Sequence, residues 1–213
     1  MDFIPNTTTI LTFSLASLVL ALTPGPDMTL FIGRALAEGR RAGIACSLGA
    51  FSGIAVHTML VAFGLAALIV ASPVAFLILK IAGAAYLLWL AFSAIRHGST
   101  LKFDRRSGES RSFGRNWLTG LSINLMNPKI IIFFMTFLPQ FVSAADADVR
   151  GKLIFLGLLF VVVSVPVVLC IIFAADRLAS ALKRSRRITR VVDFLFGGVF
   201  SAFAIKILLT QGR

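Results

Sequence analysis

Two short stretches carry most of the chemistry that the chain offers. One reads Thr23-Pro24-Gly25-Pro26-Asp27 and the other Met126-Asn127-Pro128-Lys129. Aligned on Pro26 and Pro128, they put Asp27 and Lys129, opposite in charge, at the same place, one residue after a proline. Proline removes a backbone hydrogen bond and clashes with the carbonyl four residues back, so a helix should break at both stretches, most of all where Gly25 sits between two prolines. The ends of a broken helix offer unpaired N–H and C=O groups to a ligand. With the two charges beside them, the chemistry is that of holding a zwitterion: Asp27 for an ammonium, Lys129 or bare backbone N–H groups for a carboxylate. The plainer alternative is structural, with Asp27 and Lys129 paired to each other or snorkelling to water.

Further polar residues fall inside apolar runs. Asn124 and Asn127, three apart, share a helix face and are candidates to contact a substrate or to bond another helix. His57 is isolated in its run, and with Asp27 and Asp193 it forms a candidate proton relay; packing, and for Asp193 a pair with Arg190, are the competing uses. Lys80 and Lys206 lie near ends of runs, where they reach an interface, and Tyr86, Trp89 and Trp117 read as packing or interfacial anchors. Cys46 and Cys170 have no C-x-x-C spacing and read as small apolar fillers. No Walker loop, nucleophile elbow or zinc motif is present, so neither an enzyme nor a bound cofactor or metal is expected.

The elements that position these residues are membrane helices. The 213 residues are 58% hydrophobic and 14% charged, against roughly 45–50% and 25% in soluble domains. Apolar runs near Thr7 to Ile32, Ala42 to Val70, Val74 to Ile95, Trp117 to Val142, Leu153 to Ala175 and Val191 to Leu209 are each long enough to cross a bilayer. Arg34, Arg40 and Arg41 lie in the first connector. Arg96, Lys102, Arg105, Arg106, Arg111 and Arg115 fall in the third, and Arg177, Lys183, Arg184, Arg186, Arg187 and Arg190 in the fifth. The second connector is uncharged and the fourth balances Asp146 and Asp148 against Arg150 and Lys152. This bias places connectors one, three and five in the cytoplasm and both termini in the periplasm. The start Met1-Asp2-Phe3 has no basic leader and is expected to stay uncleaved. The net charge of +12 might have meant nucleic acid. With 15 of the 21 basic residues in those three loops, orientation and anionic lipid account for it instead, and no nucleic-acid partner is expected. Asp176 to Arg190 fits either an interfacial helix or a solvated loop.

Glycines recur in matching spans, Gly49 with Gly157 and Gly83 with Gly197 and Gly198. The expected fold is an all-α integral membrane protein of six transmembrane helices in two inverted three-helix repeats, with the first and fourth helices broken. Repeat one covers about residues 7–95, a basic cytoplasmic loop about 96–116 and repeat two about 117–209, all in one transport domain spanning 1–213. Inverted repeats with broken helices at corresponding positions point to a substrate site at the repeat interface. Small residues in and before span two, Gly39, Gly43, Gly49, Gly53 and Gly64 among them, predict close helix contacts.

On Thr23 to Asp27, Gly39 to Gly43 with the glycine-rich span after it, Gly83-Ala84-Ala85-Tyr86-Leu87 and Asn124 to Lys129, nearly the whole chain resembles the LysE/RhtB family of amino acid exporters. The resemblance implies a secondary transporter in the bacterial inner membrane that exports amino acids or close derivatives by proton antiport. Its implied partners are an amino acid, protons and surrounding lipid, with a homo-oligomer left open. Thiol-redox and metal-ion transporters of the wider superfamily are the alternative. The chain lacks a clustered ligand set for a metal or an intramembrane cysteine arrangement for electron transfer.

Overall fold

The computed structural model describes residues 3–65, 111–143 and 146–177, together with Ser72 and scattered helical positions between 74 and 96 and between 190 and 202. Much of the third and sixth spans therefore lies outside the described residues, including Lys80, Gly83, Tyr86, Asp193, Gly197 and Lys206, as do residues 97–110 and 178–189.

The chain enters its first helix, α1 (Thr7–Leu22), through Asn6, whose side chain accepts the Thr9 N–H at 2.8 Å. This meets one of the donors that every helix start leaves bare. Leu11, Leu15, Leu18 and Leu22, at helical spacing, are exposed, whereas Phe13, Ala16, Ser17 and Leu20 are buried on the other face. An outward row of leucines is the lipid-facing surface of a membrane helix.

The helix stops at Thr23, and α2 (Pro26–Glu38) starts after an extended Gly25, at an angle of 53° to α1. Pro26 is at the first helical position, where its missing N–H costs nothing. Gly39 ends α2 at a φ of +90°, a left-handed backbone that favours glycine, and α3 (Arg40–Leu60) leaves directly from it. A π-helical turn, Val61–Leu65, follows α3.

The second half of the described chain repeats this shape. Helix α4 (Phe113–Leu125) is capped by Ser112 and stops at Met126. Then α5 (Pro128–Ile132), again with proline first, continues through a π turn, Phe133–Phe137, and a 3-10 turn, Leu138–Phe141. The bend at this second break is 55°. Asp148 caps α6 (Val149–Phe173) by accepting the Gly151 N–H at 2.7 Å. Arg40–Gly64 and Val149–Phe173 are each long and apolar enough to cross a membrane, and so is each bent pair taken together. That makes up to four crossings among the described residues, both breaks falling at the prolines that predict them. The helical ends run past the predicted span limits, to Glu38 rather than Ile32 in the first and from Phe113 rather than Trp117 in the fourth.

Two kinds of packing hold these pieces. Between α3 and α4 the contact is backbone on backbone: a Cβ on Gly49 would run into the Trp117 carbonyl, and one on Gly120 into the Cys46 carbonyl. Gly53 is less tight and meets a side chain, with Asn124 Oδ1 2.6 Å from where a Cβ would stand, and Gly157 of α6 faces the Thr58 side chain in the same way. Elsewhere aromatic rings fill the space. Phe13 of α1, Phe133, Phe134 and Phe137 after the second break and Phe160 of α6 are buried together, with ring centroids 4.8 Å apart at the closest, Phe133 to Phe137. In lipid there is no hydrophobic drive between helices, so this close dispersion contact does the holding.

The two ends of the molecule differ in chemistry. At one end Glu38 takes hydrogen bonds from the backbone N–H of Arg111 and from Asn116 Nδ2, both at 3.0 Å, and pairs with Arg34. Beside it Arg40 lies over the Phe173 ring, 5.2 Å from its centroid. These contacts bring connector one, the residues leading into α4 and the end of α6 to one end. At the other, a Cβ on Gly151 would stand 2.7 Å from Phe3, and Arg150 lies 5.7 Å from the Phe63 ring centroid, so the amino-terminal residues, the end of α3 and connector four meet there.

Candidate functional site

Both breaks open toward the same interior, and each is closed by a residue from the other. Helix α1 ends with carbonyls that no turn above can reach. Lys129, in the first turn of α5, supplies a donor to the Thr23 carbonyl oxygen, 2.9 Å from its Nζ, and lies 3.3 Å from that of Leu20, which also takes the Thr23 N–H at 3.2 Å. A cation at a helix carboxyl end also suits the macrodipole. In the reverse direction Asn124, in the last turn of α4, donates from Nδ2 to Asp27 Oδ2 at 2.9 Å. Asp27 itself sits in the first turn of α2, where the dipole favours an anion. Asp27 and Lys129 thus occupy equivalent places, and each reaches across to the end of the opposite half-helix.

No direct ion pair joins Asp27 to Lys129, although both line one cavity. The structural pairing that the sequence left open is replaced by this cross-brace. The physical reason is that the α1 carbonyls satisfy the ammonium first, leaving one of its three N–H groups for another acceptor.

Asn127 caps α5, its Oδ1 3.1 Å from the Lys129 backbone N–H. His57 of α3 has Nε2 3.4 Å from the Asn124 carbonyl oxygen, and its ring is 6.1 Å from that of Phe134. Pro24, Gly25, Pro26, Asn127, Pro128 and His57 do not line the cavity; they shape or buttress the residues that do. Gly25 leaves room for the Lys129 side chain, since a Cβ there would be 3.1 Å from Nζ. Of the predicted site residues, Asp193 lies outside the described residues. Among the described residues no three His, Cys, Asp or Glu side chains stand close enough to share a metal ion.

The cavity is walled mainly by apolar groups, among them Met28, Phe31, Phe51, Ile54 and Phe160. The space open to water centres is about 50 Å³, enough for several waters or a small solute. Several residues around this apolar region carry polar atoms with bonding capacity to spare. Asp27 Oδ1, Asn124 Oδ1 and Ser164 Oγ are buried without a partner, as is Asn127 Nδ2 nearby. Buried polar atoms are nearly always paired. Three unpartnered atoms on residues lining one cavity make it the candidate place for a polar ligand. Ser164 was not visible as a site residue in the sequence, where it is one hydroxyl in a long apolar run. Asn116 was missed too, and its only signal is an amide in the first turn of a helix.

Among the described residues, helices with apolar outer faces and two matched breaks around a mainly apolar cavity, with Asp27, Asn124 and Lys129 in its wall, describe a membrane protein. Residues 18–211 match the model of the family described as LysE type translocators, and the chain belongs to that family. It is 31% identical to the homoserine/homoserine lactone efflux protein of Salmonella typhimurium (strain LT2), over 88% of this chain and 90% of that one. With the leucine efflux protein of Enterobacter sp. (strain 638) it shares 26% identity, over 92% and 93%. An uncharacterized membrane protein of Vibrio cholerae is 31% identical over 89% and 91%. No solved structure matches.

Proposed function

We propose that the chain is a secondary transporter that exports an amino acid or a close derivative across the bacterial inner membrane in exchange for protons. The observation that carries this reading is the cross-brace. Two breaks of nearly equal bend face one cavity, with Asp27, Asn124 and Lys129 in its wall. Asp27, held by Asn124, offers an acceptor to an α-ammonium, and the remaining N–H of Lys129 offers a donor to the carboxylate. The names of the relatives, efflux proteins for homoserine, its lactone and leucine, agree with a zwitterion or amine of this size.

In this reading the chain is two inverted repeats, about residues 7–95 and 117–209, joined by a cytoplasmic loop, with both termini periplasmic. The packing supports it: α3 lies on α4, the first half of the second broken helix, while α6 lies on α1, the first half of the first. An axis in the membrane plane exchanges these two contacts. The meeting of connector one with the residues leading into α4 and with the end of α6 fits a cytoplasmic face there. Asp27 is the group proposed to carry the proton, since an anion that holds the substrate's ammonium is free to bind a proton once the substrate has left.

Counterflow in liposomes with a panel of labelled amino acids, run with and without a pH gradient, tests class, substrate and coupling together. The expected result is saturable exchange of at least one neutral amino acid, accelerated by the gradient and lost in Asp27→Asn. Full activity of both Asp27→Asn and Lys129→Met would sink the site.

A further inference from the structure

Ser164 breaks a rule that every other buried hydroxyl among the described residues keeps. Those hydroxyls bond to the backbone of their own helix, Ser17 to the Phe13 carbonyl at 2.8 Å, Thr23 to Val19 at 2.6 Å and Ser47 to Ile44 at 2.9 Å. Thr58 bonds to Ile54 at 2.8 Å and Thr136 to Ile132 at 2.7 Å. This is the ordinary way for a hydroxyl to be satisfied inside a helix. Ser164 has an equivalent place in mid-α6, is only 2% exposed, and has no partner for Oγ. It lines the cavity between Phe160 and Val168, one turn to either side on the same face of α6.

We propose that Ser164 reads the side chain of the transported amino acid, so that a short side chain bearing a hydroxyl is preferred to its aliphatic isostere. The inference rests on the export reading above and adds to it the end of the substrate that α6 meets. The charged ends are accounted for by Asp27, Asn124 and Lys129, which project from α2, α4 and α5. Ser164 comes from a different helix, set among phenylalanine and valine, where the hydrocarbon of a short side chain is accommodated and its polar tip would otherwise lose its hydrogen bond to water. A hydroxyl both donates and accepts, so it can satisfy an alcohol whichever way that alcohol points. An aliphatic side chain in the same place leaves Oγ as unpaired as it now is, and discrimination comes from that difference.

The test is transport by the full chain in liposomes of homoserine and norvaline, which differ by a hydroxyl in place of a methyl, for Ser164, Ser164→Cys and Ser164→Ala. The wild type is expected to favour homoserine, and the ratio of the two subsaturating rates to fall about tenfold in Ser164→Ala, the worth of one neutral hydrogen bond, with Ser164→Cys in between. A ratio that is flat across the series, a wild type without preference, or an equal loss of both substrates accompanied by a lower unfolding temperature would overturn the proposal. If the wild type moves no amino acid at all, the export reading fails with it. If amino acids are moved with a flat ratio, only the role of Ser164 fails.

Discussion

The two breaks share a shape and differ in chemistry. Their bends agree within a few degrees, 53° and 55°, and each restarts on a proline. Yet the first restarts from a glycine with no side-chain cap and presents an anion, while the second restarts from a capping asparagine and presents a cation. The surroundings differ as well. Gly120 of α4 is pressed against α3, whereas Leu18, the matching position eight residues before the proline in α1, is on the exposed leucine row. The difference teaches that prolines and packing set the geometry, and that the charge after each proline follows the partner it meets, main-chain carbonyls of α1 for Lys129 and an amide N–H of Asn124 for Asp27.

The largest effect should come from destroying the seam that only one break has. Gly120→Val puts a branched side chain into the Cys46 carbonyl, where backbone would have to yield, and should abolish monodisperse protein on gel filtration; Leu18→Val should change stability by less than about 0.5 kcal/mol. Next come the two charges. Lys129→Met and Asp27→Asn should each lower transport by about 100-fold or more, the loss expected when one partner of a buried charged contact is removed. They part company in thermal unfolding. Lys129→Met leaves the Thr23 carbonyl bare and should cost about 1–3 kcal/mol, while Asp27→Asn keeps a partner for Asn124 and should cost less than about 1 kcal/mol. Equal stability losses would show that the brace is not what separates the breaks.

A smaller contrast lies in the caps. Asn127→Ala should lose about 1 kcal/mol of stability in a denaturant or thermal series. Gly25→Ala should lose less, because the backbone there is extended, with a φ of −172°, and the atom in the way is the flexible end of Lys129. The smallest effect belongs to the connector that leads out of the second break. Burial pushes the Asp146 carboxyl up, but the Lys152 ammonium at 2.5 Å and the Ser143 N–H at 2.9 Å outweigh it and hold its pKa below the ordinary aspartate value. A lowered folded-state value contributes stability above the unfolded pKa and loses it as pH falls through the folded one. Melting followed from neutral pH into that acid range should therefore show a loss of at most about 1 kcal/mol that Asp146→Asn removes.

Much of this was readable before any coordinates. Proline and glycine act on their own backbone, so Pro24, Gly25, Pro26 and Pro128 located both breaks to within a residue. The small residues of α3 announced a close contact because a missing side chain can only be filled by a neighbour, and Gly49 and Gly53 have that contact while Gly64 meets nothing. What stayed hidden depends on how separate helices are set against each other. Lys129 binds main-chain oxygens, which every residue carries and no sequence marks. Asp27 was expected to meet either a ligand or Lys129, and it meets Asn124, an amide for which the sequence left substrate contact and a bond to another helix both open. Glu38 gathers Arg34, Arg111 and Asn116 from two chain regions, and only the last of these is a local surprise. The π turns at Val61–Leu65 and Phe133–Phe137 have no signature in the local residues.

Because nothing but main chain separates α3 from α4 at Gly49 and Gly120, those two helices have no slack with which to shear or part. They form the keel of the molecule. On the export reading proposed above, a passage that opens to one side of the bilayer and then to the other has to leave that keel intact, which makes the proline joints of the two bent helices its natural pivots.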